Sequence, residues 1–181
     1  MENKLLLILL LTVTVVFAAN LGDSISPFSA QDDTGALWHS DSSQADYLVV
    51  YFYPAAMTFG CTKQACSYRD TKDEFADLKA EVVGVSGDEI AALQVFRQVH
   101  NLNFTLLSDP KGKIAEHFGV PISDGGEITQ KINGENIILK RGVTTKRWTY
   151  IIDKSGLIIY KDDGVNPLAD AKKVLKELKE K

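Results

Sequence analysis

The sequence contains two cysteines, Cys61 and Cys66, and they are the residues whose type and position could do chemistry. Cys61 closes a loop that begins at Pro54, between a run of β-branched and aromatic residues and a segment of helical character. A thiol at such a strand-to-helix junction lies near unpaired backbone N–H groups and the positive end of a helix dipole, both of which favour the thiolate. The carboxyl ends of strands are also where α/β folds build their sites. The position of Cys61 therefore predicts a reactive thiol.

Two alternatives to a reactive thiol are an inert buried cysteine and a metal site. A lone cysteine with apolar neighbours is as often a buried, inert thiol, but Gly60 and Thr62 flank Cys61 in a loop and make burial in a core less favourable. A zinc or copper site needs further ligands, and the three histidines show no ligand-like spacing to either cysteine. These histidines, which are interpreted as core or surface residues, are His39, His100 and His117.

A permanent disulfide between Cys61 and Cys66 conflicts with helical geometry. If residues 61–66 are helical, the two Cα atoms lie roughly 8.6 Å apart, from a rise of about 1.5 Å per residue and a radius near 2.3 Å. A disulfide needs a Cα separation below about 7 Å. The bond therefore requires the first turns of the helix to unwind, which suits a switching redox couple better than a static cross-link.

Strands alternate with helices along the sequence. Residues 46–53 (DYLVVYFY) and 81–86 (EVVGVS) have the continuous apolar pattern of strands buried on both faces. The other predicted elements are a helix within 61–80, a helix over 90–99, a strand at 104–107, a helix from Asp109 through Phe118, a hairpin of 148–153 and 157–161, and a last helix that starts at Asn166-Pro167 and buries Leu168, Ala171, Val174, Leu175 and Leu178.

This order predicts an α/β domain with three layers and a mixed central sheet, because parallel strands need crossover helices. Residues 121–146 are predicted to form an excursion that contains a hairpin. The 181 residues, 45% of them hydrophobic and 24% charged, suit one globular domain. The net charge of −4 gives no basic excess, which argues against nucleic acid as the main partner.

The start of the chain is predicted to be a secretory signal peptide. Residues 5–19 are apolar apart from Thr12 and Thr14, and small residues end the run at Ala18. A retained membrane anchor is the alternative, but the run is shorter than the roughly 20 apolar residues that span a bilayer. We therefore expect a signal peptide at 1–18 and a single domain at 19–181. The mature domain would be exported to a periplasmic, secreted or lumenal location, without stable membrane contact after cleavage.

The segment YFYPAAMTFGCTKQACSYRD resembles the active-site region of peroxiredoxins, which are thiol peroxidases of thioredoxin-like fold. It carries their Pro-x-x-x-Thr-x-x-Cys pattern as Pro54, Thr58 and Cys61. The second cysteine, five residues on, is similar to that of the Q type, the bacterioferritin comigratory protein class. The resemblance continues through LLSDPKGKIAEHFGV to RWTYIID, where that family has its active-site arginine, here Arg147, and it runs from about Leu21 to Lys181.

The resemblance implies a thioredoxin-like three-layer sandwich and a role for each site residue. Cys61 would be the peroxidatic nucleophile that becomes a sulfenic acid, and Cys66 the resolving thiol that forms an intramolecular disulfide with it. Arg147 and Thr58 would hold the peroxide and stabilise charge on the departing oxygen, while Pro54 would shield the thiolate from water. The implied partners are a hydroperoxide substrate and a thioredoxin-like reductant, with no cofactor and a monomeric chain.

The sequence departs from the family pattern at two positions near the nucleophile. Phe59 stands where members often have Pro, and Gln64 stands where they often have Glu, so we expect Arg147 to lack a carboxylate anchor at residue 64. Residues 121–146 are also longer than usual for the Q type.

Two other functions stay open. A thiol–disulfide oxidoreductase usually has its thiols two residues apart, and a thioredoxin-fold metallochaperone needs a histidine ligand.

Overall fold

The computed structural model describes residues 18–181, so the predicted signal peptide, apart from Ala18, lies outside the described residues. In residues 18–181, no helix combines the length and apolar character needed to cross a membrane. The described elements are nine strands, five α-helices and a short 3₁₀ turn at Ser40–Ser42. The strands are β1 (Ser29–Asp32), β2 (Leu37–His39), β3 (Tyr47–Phe52), β4 (Ala80–Ser86), β5 (Thr105–Ser108), β6 (Ile122–Ile132), β7 (Glu135–Thr145), β8 (Thr149–Asp153) and β9 (Ile158–Asp162). The helices are α1 (Phe59–Asp70), α2 (Lys72–Asp77), α3 (Ile90–His100), α4 (Lys113–His117) and α5 (Asp170–Lys179).

A mixed sheet of seven strands, in the order β2-β1-β5-β4-β3-β8-β9, forms the middle layer. The β3 strand lies between β4, to which it is parallel, and β8, to which it is antiparallel, so it is an interior strand of the sheet. Its alternating side chains fill two cores: Val49 and Tyr51 pack in the cluster that contains residues of α1, α3 and α5, and Val50 and Phe52 pack in the cluster that contains residues of α4. The three-layer α/β sandwich with a mixed sheet is therefore confirmed.

The structure corrects the predicted last helix. The α5 helix begins at Asp170, four residues after Asn166, because Asn166 organises a turn in which its side-chain oxygen accepts the N–H of Leu168 at 3.0 Å. Leu168, expected on the buried face, is 62% exposed, whereas the other four predicted core positions of this helix are buried. The strands β1 and β2, at one side of the sheet, were not predicted, since their short, mostly exposed segments lack a long apolar pattern.

The predicted excursion is a long hairpin, here called the hairpin arm (residues 122–145). Its strands β6 and β7 form a two-stranded sheet of their own, in antiparallel register. Asn133 and Gly134 connect them with φ angles of 52° and 89°, the pair of positive values that a tight type I′ turn requires. The base of the arm is bonded to the loop after β4, where the N–H of Gly142 donates to Gly87 O at 2.9 Å and that of Glu89 donates to Lys140 O at 2.9 Å. The arm is thus fixed at the carboxyl edge of the sheet.

Candidate active site

The Cys61 thiol lies in the first turn of α1, directly beyond the carboxyl end of β3. Its side chain is almost completely buried, with 1% of its surface exposed. Thr58 precedes the helix in an extended conformation, and its hydroxyl donates to Ala55 O at 2.9 Å instead of capping the helix. The first helical hydrogen bond is that of Thr62 N to Thr58 O, at 2.8 Å. The first backbone N–H groups of α1 therefore lack intrahelical acceptors and favour negative charge at the thiol.

The loop between β3 and α1 is held from two sides. Ala56 N donates to the buried Asp88 carboxylate at 2.7 Å, which also accepts from the Ser86 hydroxyl at 2.7 Å. Burial raises the pKa of Asp88, and these hydrogen bonds partly oppose that rise. On the other side, Gln130 of the hairpin arm donates to Met57 O at 3.3 Å. The loop that leads into Cys61 is thus supported by the sheet edge and by the arm.

The guanidinium of Arg147 contacts the thiol directly. Its Nη2 lies 3.2 Å from Cys61 Sγ, and its Nη1 donates to Gln64 Oε1 at 2.5 Å. A Cβ placed on Gly60 would lie 3.4 Å from Nη2, so the guanidinium packs against the first turn of α1. Arg147 thus has an acceptor at residue 64 although this residue is an amide. The family pattern, with a carboxylate at this position, did not indicate that Gln64 would supply it.

Cys66 lies on the same unbroken helix as Cys61. Both thiols are free; Cys66 is partly exposed, whereas Cys61 is buried. Five helical residues separate their Cα atoms by roughly 8.6 Å, beyond disulfide range. A bond between them therefore requires α1 to unwind.

The structure brings some predicted site residues together and leaves another apart. Pro54 and Thr58 lie in the loop from β3 into α1, and Arg147, just before β8, meets Cys61 at the end of that loop. Cys66 lies further along α1. Three buried or half-buried polar residues that contact this region were missed: Asp88, Gln130 and Asp170. Asp170 did carry a signal, since it is an acid at the helical spacing of Val174 and Leu178 on an apolar face.

The histidines have structural surroundings of their own. The His100 ring packs edge-on against Phe96, and His117 Nε2 lies 3.0 Å from Ser26 O. Within residues 18–181, no three His, Cys, Asp or Glu side chains form a group that could hold a metal ion.

The fold and the site define a thioredoxin-like protein with one buried thiol paired to a guanidinium at the carboxyl edge of its sheet. The model of the AhpC/TSA family matches residues 21–161. The chain belongs to the AhpC/TSA family.

Relatives and solved structures agree with this assignment. The chain is 36% identical over 145 residues to "Peroxiredoxin Q, chloroplastic" of Populus jackii, covering 80% of this chain and 61% of that protein. It thus spans about 60% of the length of such curated relatives. The crystal structure of Peroxidoxin BcpB from Mycobacterium tuberculosis superposes with a TM-score of 0.73 at 33% identity, covering 88% of this chain and 96% of that one. PrxQ from Xylella fastidiosa, at 22% identity, shares the fold with a TM-score of 0.75 over 89% of this chain and 96% of its own.

Proposed function

We propose that this chain is a thiol-dependent peroxidase that reduces hydrogen peroxide and alkyl hydroperoxides. The observation that carries the proposal is the 3.2 Å contact between Cys61 Sγ and Arg147 Nη2 at the start of a helix. A cation and unpaired N–H groups at one thiol favour the thiolate, which is the nucleophilic form. They are also donors for the negative charge that develops when an O–O bond breaks.

In the first step, the Cys61 thiolate attacks one oxygen of the hydroperoxide. An S–O bond forms, the O–O bond breaks, and the departing oxygen takes a proton and leaves as water or an alcohol, so the sulfur is oxidised to a sulfenic acid. Arg147 stabilises the negative charge on the departing oxygen. Thr58 helps to hold the peroxide, and Pro54 shields the thiolate from water. Phe59, which is 78% exposed beside this site, and half-buried Met57 give an apolar approach for alkyl hydroperoxides.

In the second step, Cys66 resolves the sulfenic acid. Its thiol attacks the Cys61 sulfur, a disulfide forms, and the hydroxyl leaves as water. Because both cysteines lie on α1, this step follows the unwinding of that helix. A thioredoxin-like dithiol then reduces the disulfide by exchange and is itself oxidised.

The two alternative functions are less well supported by this arrangement. A thiol–disulfide oxidoreductase presents two thiols two residues apart at a helix start, whereas Cys66 lies more than one helical turn beyond Cys61. A metallochaperone needs a ligand near the thiol, and the neighbour of Cys61 is the cation of Arg147.

We also propose that residues 1–18 direct export to a periplasmic, secreted or lumenal location and that residues 19–181 act as a monomeric domain. Ala19 is 8% exposed, and its N–H donates to Phe118 O at 3.1 Å. Cleavage after Ala18 preserves this contact, whereas cleavage after Ala19 removes it. N-terminal sequencing of the exported protein, with Ala19 as the expected first residue, tests this boundary. The plant relatives are named chloroplastic. Uncleaved protein in the cytosol would contradict the proposal.

Stopped-flow measurement of thiol oxidation by hydrogen peroxide and by an alkyl hydroperoxide tests the peroxidase function. We expect both thiols to be lost within seconds at micromolar peroxide, and mass spectrometry to show one intramolecular disulfide. Oxidation no faster than that of free cysteine would overturn the proposal.

A further inference from the structure

Asp170, at the start of α5, lies at the centre of a buried polar group behind the thiol site. Its carboxylate is 2% exposed, and its Oδ2 accepts hydrogen bonds from Gln64 Nε2 at 2.7 Å, Tyr68 Oη at 2.7 Å and Thr149 Oγ1 at 2.9 Å. All three donors are buried as well. Two of them belong to α1, the helix that carries Cys61.

The bond to Asp170 determines which way the Gln64 amide faces. A carboxylate can only accept hydrogen bonds and a guanidinium can only donate them. Gln64 contacts one of each, Asp170 through Nε2 and Arg147 through Oε1. The opposite orientation would set the amide NH2 against the guanidinium and the amide oxygen against the carboxylate. The negative charge of Asp170 therefore favours the one orientation that gives Arg147 an acceptor.

We propose that Asp170 is a positioning residue that orients Gln64 and, through it, holds the Arg147 guanidinium against the Cys61 thiol. Hydrogen bonds link four residues in series, and each donor in the series meets an acceptor: Asp170, Gln64, Arg147 and Cys61. The inference deepens the proposed peroxidase function, but the contact it concerns can be measured without peroxide.

Two substitutions and their combination test this series of hydrogen bonds. Asp170→Asn keeps the shape but replaces one accepting oxygen with an NH2, which can donate to Gln64 Oε1 and draw this oxygen away from Arg147. Gln64→Glu sets two carboxylates against each other. In the double variant, Glu at 64 accepts from Arg147, and Asn at 170 donates to the other oxygen of Glu while its own oxygen accepts from Tyr68. The single variants should be impaired, and the double variant should be restored.

The first measurement is the alkylation rate of Cys61 by iodoacetamide at neutral pH, with Cys66→Ser in every protein. We expect each single variant to react about two- to fivefold more slowly, since the thiolate loses its cation, and the double variant to react within about twofold of the parent. A purely structural role predicts the opposite direction, because a loosened helix would expose the buried thiol and speed its alkylation. Asp170→Asn alone therefore decides the question if Gln64→Glu does not fold.

The second measurement is the rate of oxidation by hydrogen peroxide, for which we expect a loss of about tenfold in each single variant and recovery in the double variant. Glu177→Gln is the matched control, since it removes a carboxylate from the same helix α5 about two turns beyond Asp170. Its two rates should equal those of the parent. The proposal is overturned if Asp170→Asn alkylates as fast as the parent or faster, or if the double variant is as slow as the slower single one. If Cys61 of the parent protein is alkylated at the expected rate but is not oxidised by hydrogen peroxide, the peroxidase function is refuted and the positioning role is unaffected.

Discussion

Cys61 and Cys66 lie five residues apart on α1, yet the first is 1% exposed and contacts a guanidinium, whereas the second is partly exposed. The folded helix therefore keeps the cation at one thiol and keeps the second thiol out of bonding range. Gln64 and Tyr68 anchor this stretch of helix by their buried hydrogen bonds to Asp170. In the proposed mechanism, oxidation and disulfide formation thus use two conformations of the same twelve-residue helix.

Substitution of each cysteine separates these two steps. Cys61→Ser should abolish peroxide consumption. Cys66→Ser should consume one equivalent of peroxide and stop as a sulfenic acid, because no thiol remains to attack that sulfur. Mass spectrometry of the oxidised variants, with and without a thioredoxin-like reductant, measures both results. Normal turnover of Cys66→Ser with that reductant would show that another group resolves the sulfenic acid.

Replacement of Arg147 should lower the rate of peroxide attack more than it lowers the rate of alkylation. The guanidinium favours the thiolate in both reactions, but only the peroxide reaction develops charge on a departing oxygen. We expect Arg147→Ala to lose about 10²- to 10³-fold in the peroxide rate, as for the loss of one oxyanion donor. Lys146→Ala, which removes an exposed neighbouring cation, is the control. Equal losses in the two reactions would show that Arg147 acts on the thiolate alone.

Local patterns predicted much of this molecule, and long-range polar contacts account for most of what they did not predict. The apolar run that forms β3 and the turn residues Asn133 and Gly134 specify their elements by themselves. By contrast, the contact between Gln64 and Asp170 joins residues 106 positions apart. Nothing in the spacing of either residue indicates the other, since packing of α1 against α5 creates the contact. The start of α5 was missed for a local reason, because the Asn166 turn competes with helix initiation.

A single methyl group at Gly142 should loosen the hairpin arm. A Cβ there would lie 2.0 Å from Pro110 O, so either the arm or the loop after β5 must move. We expect Gly142→Ala to cost about 1–3 kcal/mol of the free energy of unfolding, as overpacking does. Amide hydrogen exchange across residues 122–145 should become faster, and so should exchange of the loop supported by Gln130. Lys140→Ala, an exposed side chain on the same strand, is the control. Unchanged exchange in Gly142→Ala would mean that the arm is not held at its base.

Asp109 should make the stability of the fold depend on pH below neutrality. Its carboxylate is 4% exposed and accepts the N–H groups of Ile114 and Ala115, each at 2.9 Å. Burial raises its pKa from 3.8 to about 6. Because the folded state binds this proton more tightly than the unfolded state, the contribution to the free energy of unfolding is complete below about pH 4 and is lost as the pH rises through about 6.

The size of this effect follows from the shift in pKa and can be isolated by one substitution. A shift of about two units corresponds to on the order of 2–3 kcal/mol. Asp109→Asn keeps an oxygen that accepts the two N–H groups but cannot ionise, so its free energy of unfolding should fall less between pH 4 and pH 7 than that of the parent. Urea denaturation followed by circular dichroism measures the difference, with exposed Asp41→Asn as the control for removal of one carboxylate. Parallel pH profiles of the parent and Asp109→Asn would show that the buried carboxylate is stabilised in its charged form by the N–H groups of α4.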